Sequence, residues 1–263
     1  MAVWYAISPP MSTRKKQKFS QNKPRAAKAP SGSYWMAGVH ACMAALANPE
    51  REIQRIYCTR NMYQRLPESA RGLAEQVEPD AIAQAAGEDM VHQGIAMLVK
   101  PLRGATVQDI LALPEKRPVL ALDQVTDPQN VGAMFRSAAA FGVGALLTTQ
   151  DNAARESAAL AKTACGGLDM VPWVQVVNLA TALEELKQAG YWVAGMDGAA
   201  EQTIDSAKLG ADTVLVMGAE GKGLRRLTQD TCDYMVKIAM DPRMESLNVS
   251  NATAIALHSL YTK

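Results

Sequence analysis

The sequence predicts an α/β protein in two parts, a C-terminal domain built on a parallel β-sheet and a small N-terminal α/β module. The chain has 263 residues, which is long for one average domain. Apolar residues make up 48% of it and charged residues 20%, so it can bury a large core and global disorder is excluded. From residue 117 onwards, short apolar strands alternate with helices. This pattern is typical of a parallel sheet covered on both faces.

Residues 1–33 are predicted to be a disordered basic tail. No Asp or Glu precedes Glu50, and seven of the 27 Lys and Arg lie in the first 49 residues, so the rest of the chain carries a balance of −6. The tail could contact polyanions or be only a solvated segment. Its apolar residues precede its basic ones, which is the reverse of a secretory signal. An organelle transit peptide stays a lesser alternative, and Met11 is a second candidate start.

Residues 34–103 are predicted to form the N-terminal module. Residues 38–47 have apolar groups at helical spacing, and Asn48-Pro49 ends that helix. Apolar runs at 53–58 and 94–102 indicate strands, with a helical stretch between them. Residues 104–116 are predicted to be a linker.

Residues 117–263 are predicted to form the parallel-sheet domain. The predicted strands span residues 119–125, 145–149, 173–177, 191–197 and 213–218. The predicted helices span residues 131–142, 156–165 and 180–190, and a final helix begins near residue 250. Ligands bind at the carboxyl ends of the strands in such sheets, so the loops after 119–125, 191–197 and 213–218 are expected to hold the site.

Membrane and metal functions are not expected. The longest nearly apolar run, residues 138–147, is too short to cross a bilayer and contains two glycines. The four cysteines are far apart without a CxxC motif, and the three histidines form no recognisable metal pattern. A reducing cytoplasm is the expected location.

The first candidate loop is DPQNVGAMFRSA, residues 127–138. Its structural interpretation is a helix start in which Asn130 is the N-cap and Arg136 is a surface charge. The helical neighbours of Arg136 are all small and none is acidic: Gly132, Ala133, Ala139 and Ala140. This clearing would admit an anion or a ribose, which favours a functional role for Arg136.

The second candidate loop is GAEGKGLRRL, residues 218–227, directly after a strand. Glycines in such a loop let backbone amides approach a ligand closely. The GxxGxG spacing fits neither a Walker A loop nor the dinucleotide-binding fingerprint, which disfavours an ordinary nucleotide-dependent enzyme. Glu220 could instead cap the helix that follows.

The third candidate loop precedes the final helix. Ser246, Asn248 and Ser250 alternate with apolar residues, which places three small hydrogen-bonding side chains on one side of an extended segment. Ser250 is a natural N-cap. Because capping needs only one of the three, the alternation indicates a polar wall facing a site.

The three loops together resemble the signature motifs of a known family. NVGAMFRSA, VMGAEGKGL and SLNVSNA occur in the order found in the SpoU/TrmH family of S-adenosylmethionine-dependent ribose 2′-O-methyltransferases, within the SPOUT superfamily. The resemblance covers residues 117–263. Residues 34–49 and HQGI at 92–95 are similar to the RNA-binding front domain of the ribosomal-RNA members.

The resemblance implies a trefoil-knotted C-terminal domain, a homodimer and S-adenosylmethionine as cofactor. The implied reaction is 2′-O-methylation of a ribose, expected to be that of a guanosine in 23S rRNA. A tRNA ribose is one alternative substrate, and a catalytically silent RNA-binding or ribosome-assembly factor is the alternative function.

Motif alignment also implies the site residues. The implied active-site set is Asn130, Arg136, Glu220, Ser246 and Asn248. The expected cofactor contacts are Gly198, Gly218, Ile238, Met240 and Leu247. Two positions depart from the family pattern: Ala239 stands where members usually have proline, and Asn251 where an apolar residue is expected.

Overall fold

The computed structural model describes residues 30–88 and 90–261, so the predicted basic tail lies outside it up to residue 29. Within these ranges the N-terminal module contains a four-stranded sheet in the order β1-β4-β2-β3. Its strands are β1 (Tyr34–Ala37), β2 (Ile53–Cys58), β3 (Ala74–Gln76) and β4 (Ile95–Val99). Its helices are α1 (Val39–Ala47), α2 (Arg60–Arg65), α3 (Glu68–Arg71) and α4 (Pro79–Ala86).

The strands predicted for this module are present, and two more accompany them. β2 has the predicted bounds, and β4 is shorter than the predicted run 94–102. β4 is fully buried and antiparallel to β1 and β2, whereas β3 pairs in parallel with β2. β1 and β3 were not predicted, because four and three residues are too few to show a period.

The segment between the two parts of the chain pairs with the sheet of the C-terminal domain. It contains the short helix α5 (Val107–Leu111), which begins with a capping box formed by Thr106 and Asp109. Ala105 forms a parallel bridge with Val174. The limits of the predicted linker at 104 and 116 stay a prediction.

The C-terminal domain contains a parallel sheet of seven strands within the described part of the chain, in the order β7-β6-β5-β10-β8-β11-β9. The strands are β5 (Val119–Asp123), β6 (Ala145–Thr149), β7 (Trp173–Val176), β8 (Trp192–Met196), β9 (Gln202–Thr203), β10 (Thr213–Gly218) and β11 (Tyr234–Lys237). The helices are α6 (Pro128–Ala140), α7 (Ala158–Ala164), α8 (Gly167–Met170), α9 (Leu179–Gln188), α10 (Arg226–Thr231) and α11 (Val249–Tyr261). The predicted parallel-sheet architecture is confirmed.

Strand β5 ends two residues earlier than predicted. Gln124 adopts a φ of 61°, in the left-handed region that a strand cannot continue through. The chain therefore turns directly after Asp123 and enters α6 at Pro128. β9, β11 and α8 were not predicted. The helix expected after residues 218–227 is α10, but the interpretation of Glu220 as its cap is wrong, because Arg225 is at its N-cap.

Helix α6 lies very close to its neighbours because two glycines remove side chains at the contacts. A Cβ atom on Gly132 would lie 2.6 Å from the carbonyl oxygen of Leu160 in α7. A Cβ atom on Gly167, at the start of α8, would lie 2.5 Å from the carbonyl oxygen of Phe135. This packing fixes α6, and with it the first candidate loop, against the body of the domain.

The two parts share one hydrophobic core and one buried ion-pair network. Met36 and Cys42 of the first module belong to the same apolar cluster as Phe135 of the second. Arg51 Nε donates to Asp169 Oδ1 at 2.7 Å, and Arg51 Nη1 donates to Glu156 Oε1 at 2.6 Å. The side chain of Arg51 is fully buried. None of the helices in the described ranges has the length and apolarity needed to traverse a bilayer.

Candidate active site

A cavity of about 640 Å³ opens at the carboxyl ends of β8, β10 and β11, beside the start of α11. This volume is within the range typical of small-molecule sites. Eight of the ten predicted site residues line it: Gly198, Gly218, Glu220, Ile238, Met240, Ser246, Leu247 and Asn248. The structure therefore brings the second and third candidate loops together, with Gly198 opposite them.

Glu220 joins all three candidate loops through one carboxylate oxygen. Its Oε1 accepts hydrogen bonds from Asn130 Nδ2 at 3.2 Å, Asn248 Nδ2 at 2.9 Å and the backbone N–H of Val249 at 3.3 Å. Asn248 Nδ2 also donates to Asn130 Oδ1 at 3.0 Å. Asn130 is outside the cavity lining but is tied to its edge by these contacts.

The caps of the two helices at the site differ from the prediction. Helix α6 is capped by Asp127, whose Oδ1 accepts from the backbone N–H of Gln129 at 3.0 Å. The interpretation of Asn130 as that cap is therefore wrong. Asn130 lies in the first turn of α6, where its amide is free to reach Glu220.

At α11 the cap is Asn248, and the expectation that Ser250 would be the cap is wrong. Asn248 Oδ1 accepts from the backbone N–H groups of Ser250 at 3.0 Å and Asn251 at 3.3 Å, and from Ser250 Oγ at 2.6 Å. Ser250 lies inside the helix, because the helix begins at Val249. Of the predicted polar wall, Ser246 and Asn248 line the cavity and Ser250 does not.

Gly218 is the point at which the second loop folds back on its strand. A Cβ atom there would lie 2.3 Å from the carbonyl carbon of Gly223, so any other residue would force the loop away. The loop is closed by the Gly223 N–H donating to Ala219 O at 2.9 Å and the Ala219 N–H donating to Gly223 O at 3.2 Å. Gly221 and Gly223 both have positive φ, which glycine adopts without strain.

Arg136 stands apart from the cavity. Its side chain is exposed on α6, and it makes no ion pair or hydrogen bond with any other residue in the described ranges. Its neighbours Ala140, which is exposed, and Ala133, which is half-buried, have short side chains, so they leave the predicted open space around Arg136. Its role at the site stays a prediction.

The cavity wall combines apolar groups with an excess of carboxylates. Met196, Met217, Ile238 and Leu247 supply the apolar part. Asp197, Glu220 and Glu245 face the same space, and Lys237 is the cationic lining residue. This wall suits a ligand that has a flat apolar part and a positive charge.

Three of these charged lining residues, Asp197, Lys237 and Glu245, were missed in the sequence. A signal existed for Asp197, because it is an acidic residue placed directly after an apolar strand. Within the described part of the chain, no cluster of three or more His, Cys, Asp or Glu residues could hold a metal ion.

The loop that leads from β11 to α11 is stabilised by an ion pair within the loop. Arg243 donates from Nε and Nη2 to the carboxylate of Asp241 at 2.9 and 2.8 Å. These hydrogen bonds lower the pKa of Asp241 below its ordinary value. The turn therefore keeps its ion pair at neutral pH and presents the following residues, Glu245 to Asn248, to the cavity.

Two family models match the chain. The model described as the SpoU rRNA Methylase family matches residues 117–258, and that described as RNA 2'-O ribose methyltransferase substrate binding matches residues 35–105. A relative from Pseudomonas aeruginosa, named 23S rRNA (guanosine-2'-O-)-methyltransferase RlmB, is 39% identical over 232 residues, covering 85% of this chain and 94% of the relative. A relative of the same name from Nitrosomonas europaea is 39% identical over 238 residues, covering 87% of this chain and 91% of the relative.

Solved structures show the same fold at lower sequence identity. The SpoU methyltransferase AviRb from Streptomyces viridochromogenes, in complex with the cofactor AdoMet, has a TM-score of 0.70 at 22% identity and covers 88% of this chain and 90% of its own. An AdoMet-bound rRNA methyltransferase from Sinorhizobium meliloti has a TM-score of 0.71 at 22% identity, with 87% and 86% covered. Both matches extend over the two parts of the chain.

Proposed function

Because this chain belongs to the SpoU rRNA methylase family, we propose that it transfers a methyl group from S-adenosylmethionine to the 2′-hydroxyl of a guanosine ribose in 23S rRNA. The observation that carries the proposal is the Glu220 network at the cavity, which joins the three family motifs through hydrogen bonds. The relatives that match most of this chain are named for that reaction.

The cavity residues fit S-adenosylmethionine. The apolar side chains of Ile238, Leu247 and Met240 would hold its adenine, and the carboxylates on the wall favour its net positive charge. The folded-back backbone after Gly218 leaves peptide groups open to polar contacts with the ligand. When bound, the cofactor supplies an electrophilic methyl group attached to a sulfonium.

The residues around the cavity then have separable roles. A ribose 2′-oxygen that accepts this methyl group would form a C–O bond as the donor's C–S bond breaks, and the hydroxyl proton would have to leave during the attack. Arginine side chains are cationic in proteins and poor general bases, so we assign Arg136 an electrostatic role toward a phosphate or the developing alkoxide, while another group or water takes the proton. Asn130, Glu220 and Asn248 orient the ribose, and Ser246 supplies a further hydrogen bond.

The N-terminal module is proposed to hold the RNA. The family model that matches residues 35–105 describes substrate binding in RNA 2'-O ribose methyltransferases. Such contacts reach RNA through its shape, its phosphates and unstacked nucleotides. The basic tail is proposed to add salt-dependent affinity. Because the proposed substrate is ribosomal, the cytoplasm is the proposed location.

A homodimer with a knotted C-terminal domain completes the proposal. Two packed helices, α6 and α11, leave small and apolar residues exposed, among them Ala140, Ile255 and Tyr261. Exposed apolar groups on adjacent helices support a contact with a second copy.

Light scattering of the wild type and of Ile255→Glu tests this proposal: a dimer that the substitution dissociates is expected, and a monomeric wild type would contradict it.

The proposed function is tested by methyl transfer from labelled S-adenosylmethionine to total unmodified bacterial RNA, separated by size. Label in the large ribosomal RNA, mapped to a guanosine ribose, is the expected result. Label confined to tRNA would keep the chemistry and replace the substrate. Cofactor binding without any transfer would instead support a silent RNA-binding factor.

A further inference from the structure

The ion pair between Asp123 and Arg225 lies beside the proposed active site, and neither residue is among the ten predicted site residues. We infer that Asp123, acting through Arg225, is a positioning residue that sets Glu220 against Asn130 and Asn248. The inference rests on the proposed function for its catalytic consequence. Its structural consequence can be measured without any methyl transfer.

Asp123 holds the far end of the Glu220 loop with both carboxylate oxygens. Its Oδ2 accepts from the backbone N–H of Arg225 at 2.9 Å, and its Oδ1 accepts from Arg225 Nε at 2.6 Å. The Asp123 side chain is fully buried, whereas that of Arg225 is 46% exposed. A buried carboxylate with two fixed donors holds this position more firmly than a surface ion pair would.

The near end of the loop is held by the strand from which it leaves. Gly218 pairs in register with Asp123 in the sheet, so both ends of the loop converge on one residue. Between them, the hydrogen bonds of Ala219 with Gly223 close a tight turn that carries Glu220. A displacement of Arg225 would therefore move this turn and, with it, the side chain of Glu220.

Asp123 is also the residue from which the chain leads into the first motif. It is the last residue of β5, and the turn at Gln124 leads from it into α6 and Asn130. The backbone of Asp123 thus fixes the origin of one motif while its side chain fixes the end of another. This explains how Asn130 and Glu220, 90 residues apart in sequence, meet at 3.2 Å.

The test compares Asp123→Asn with a matched control, Asp233→Asn, at the other end of the strands. Asp233 has the same pattern of contacts at a more exposed position: its carboxylate accepts from the backbone N–H of Val193 at 2.9 Å and pairs with Lys187 at 3.0 Å, and its side chain is 20% exposed. It lies at the amino ends of the strands, away from the cavity. Asp233→Asn should therefore affect stability without changing kcat.

Asp123→Asn should lower kcat on the order of 10- to 100-fold, the scale of a displaced catalytic group, and change the KM for RNA little. Made in a Glu220→Ala background, it should cause no further fall, because its effect passes through Glu220. An unchanged kcat, or a full additional fall in the Glu220→Ala background, would overturn the inference. An inactive wild type would refute the proposed function instead.

Amide hydrogen exchange of the full chain decides the inference independently of activity. In Asp123→Asn, the N–H groups of Gly223 and Val249 should exchange faster, because the turn and its Glu220 contact are released. Asp233→Asn should leave both unchanged. Equal exchange in the two variants would refute the positioning role. If Asp123→Asn does not fold, Arg225→Ala removes the Nε contact and keeps the backbone contact, and a smaller increase in the exchange of the same two N–H groups is expected.

Discussion

At the scale of single residues, Asn248 performs two tasks with the two ends of one amide. Its Oδ1 accepts the N–H groups that begin α11, and its Nδ2 donates to Glu220 and Asn130. The orientation of the amide follows from this network, because only the nitrogen can face the two acceptors. A helix cap and a hydrogen-bond donor to Glu220 are therefore supplied by one side chain.

Replacing Asn248 by Asp separates these tasks. The cap needs an acceptor and survives, but a carboxylate oxygen then faces Glu220 Oε1 where a donor stood at 2.9 Å. We expect Asn248→Asp to fold with nearly unchanged thermal stability and to lose about 10² or more in turnover. Asn178→Asp is the control, since Asn178 caps α9 away from the cavity. Equal turnover in both variants would show that Asn248 is only a cap.

Arg136 calls for a different test, because no residue in the described ranges pairs with it. We expect Arg136→Ala to lower methyl transfer on the order of 10² or more, the scale of losing one preorganised charge, with the melting temperature unchanged. Arg226→Ala, which removes a 93% exposed arginine from α10, should retain wild-type turnover. An active Arg136→Ala enzyme would remove Arg136 from the proposed set.

At the scale of elements, the segment between β11 and α11 brings together residues of the cavity wall. Ala239 lies there, exposed, at the position where family members usually carry proline. Its backbone N–H makes no hydrogen bond within the part of the chain that the structure describes. A proline at this position would cost no hydrogen bond and would restrict the free segment.

Ala239→Pro should therefore bind S-adenosylmethionine about two- to fivefold more tightly, as the entropy cost of ordering the segment falls. Calorimetric titration of the cofactor measures the effect. Ala239→Gly is the opposite control and should bind more weakly. An affinity that is the same in all three proteins would show that the segment is already ordered without proline.

The elements also show which patterns a sequence can reveal. β6 and β10 were predicted with their observed bounds because every residue of β6 and nearly every residue of β10 is buried, which leaves a run without charged residues. β11 has one fully buried residue, Val236, and contains the charged Lys237. The cavity residues in the motif loops were predicted from the family resemblance.

The caps could not be predicted in the same way. Ser246, Asn248 and Ser250 are each able to cap a helix, and the choice depends on Glu220, which is distant in sequence. Asp123 and Arg225 are 102 residues apart, so no local pattern connects them. Such pairs become visible only when the sheet order places β5 beside β10.

At the scale of the whole molecule, a buried charge network joins the two parts. Arg51, from the first module, pairs with Glu156 and Asp169 of the second. Tyr34 also donates to Glu156 at 2.6 Å, and burial raises the pKa of its hydroxyl, which stays a neutral donor. The network ties the proposed RNA-binding module to α8 and to the segment directly before α7 in one orientation.

Arg51→Ala should destabilise the protein by about 3–5 kcal/mol, because it leaves two buried carboxylates without their cation. Urea unfolding at neutral pH measures this loss. Lys100→Ala removes an ion pair to Glu52 that is about half exposed, and should cost at most about 1 kcal/mol. Similar losses in the two variants would contradict the view that the network joins the parts.

The order of strands in the large sheet also has a kinetic consequence. β10 lies between β5 and β8, yet it follows β5 by about ninety residues of chain. β5, β6 and β7 are adjacent both in space and in sequence, so they can associate early, whereas β8 and β11 can join them only after β10 inserts between them. Contacts between distant segments form slowly, and strand insertion at β10 should therefore limit the rate of folding. The cavity cannot exist before that step, because the end of β10 and the loop after it, Met217 to Gly223, form part of its wall.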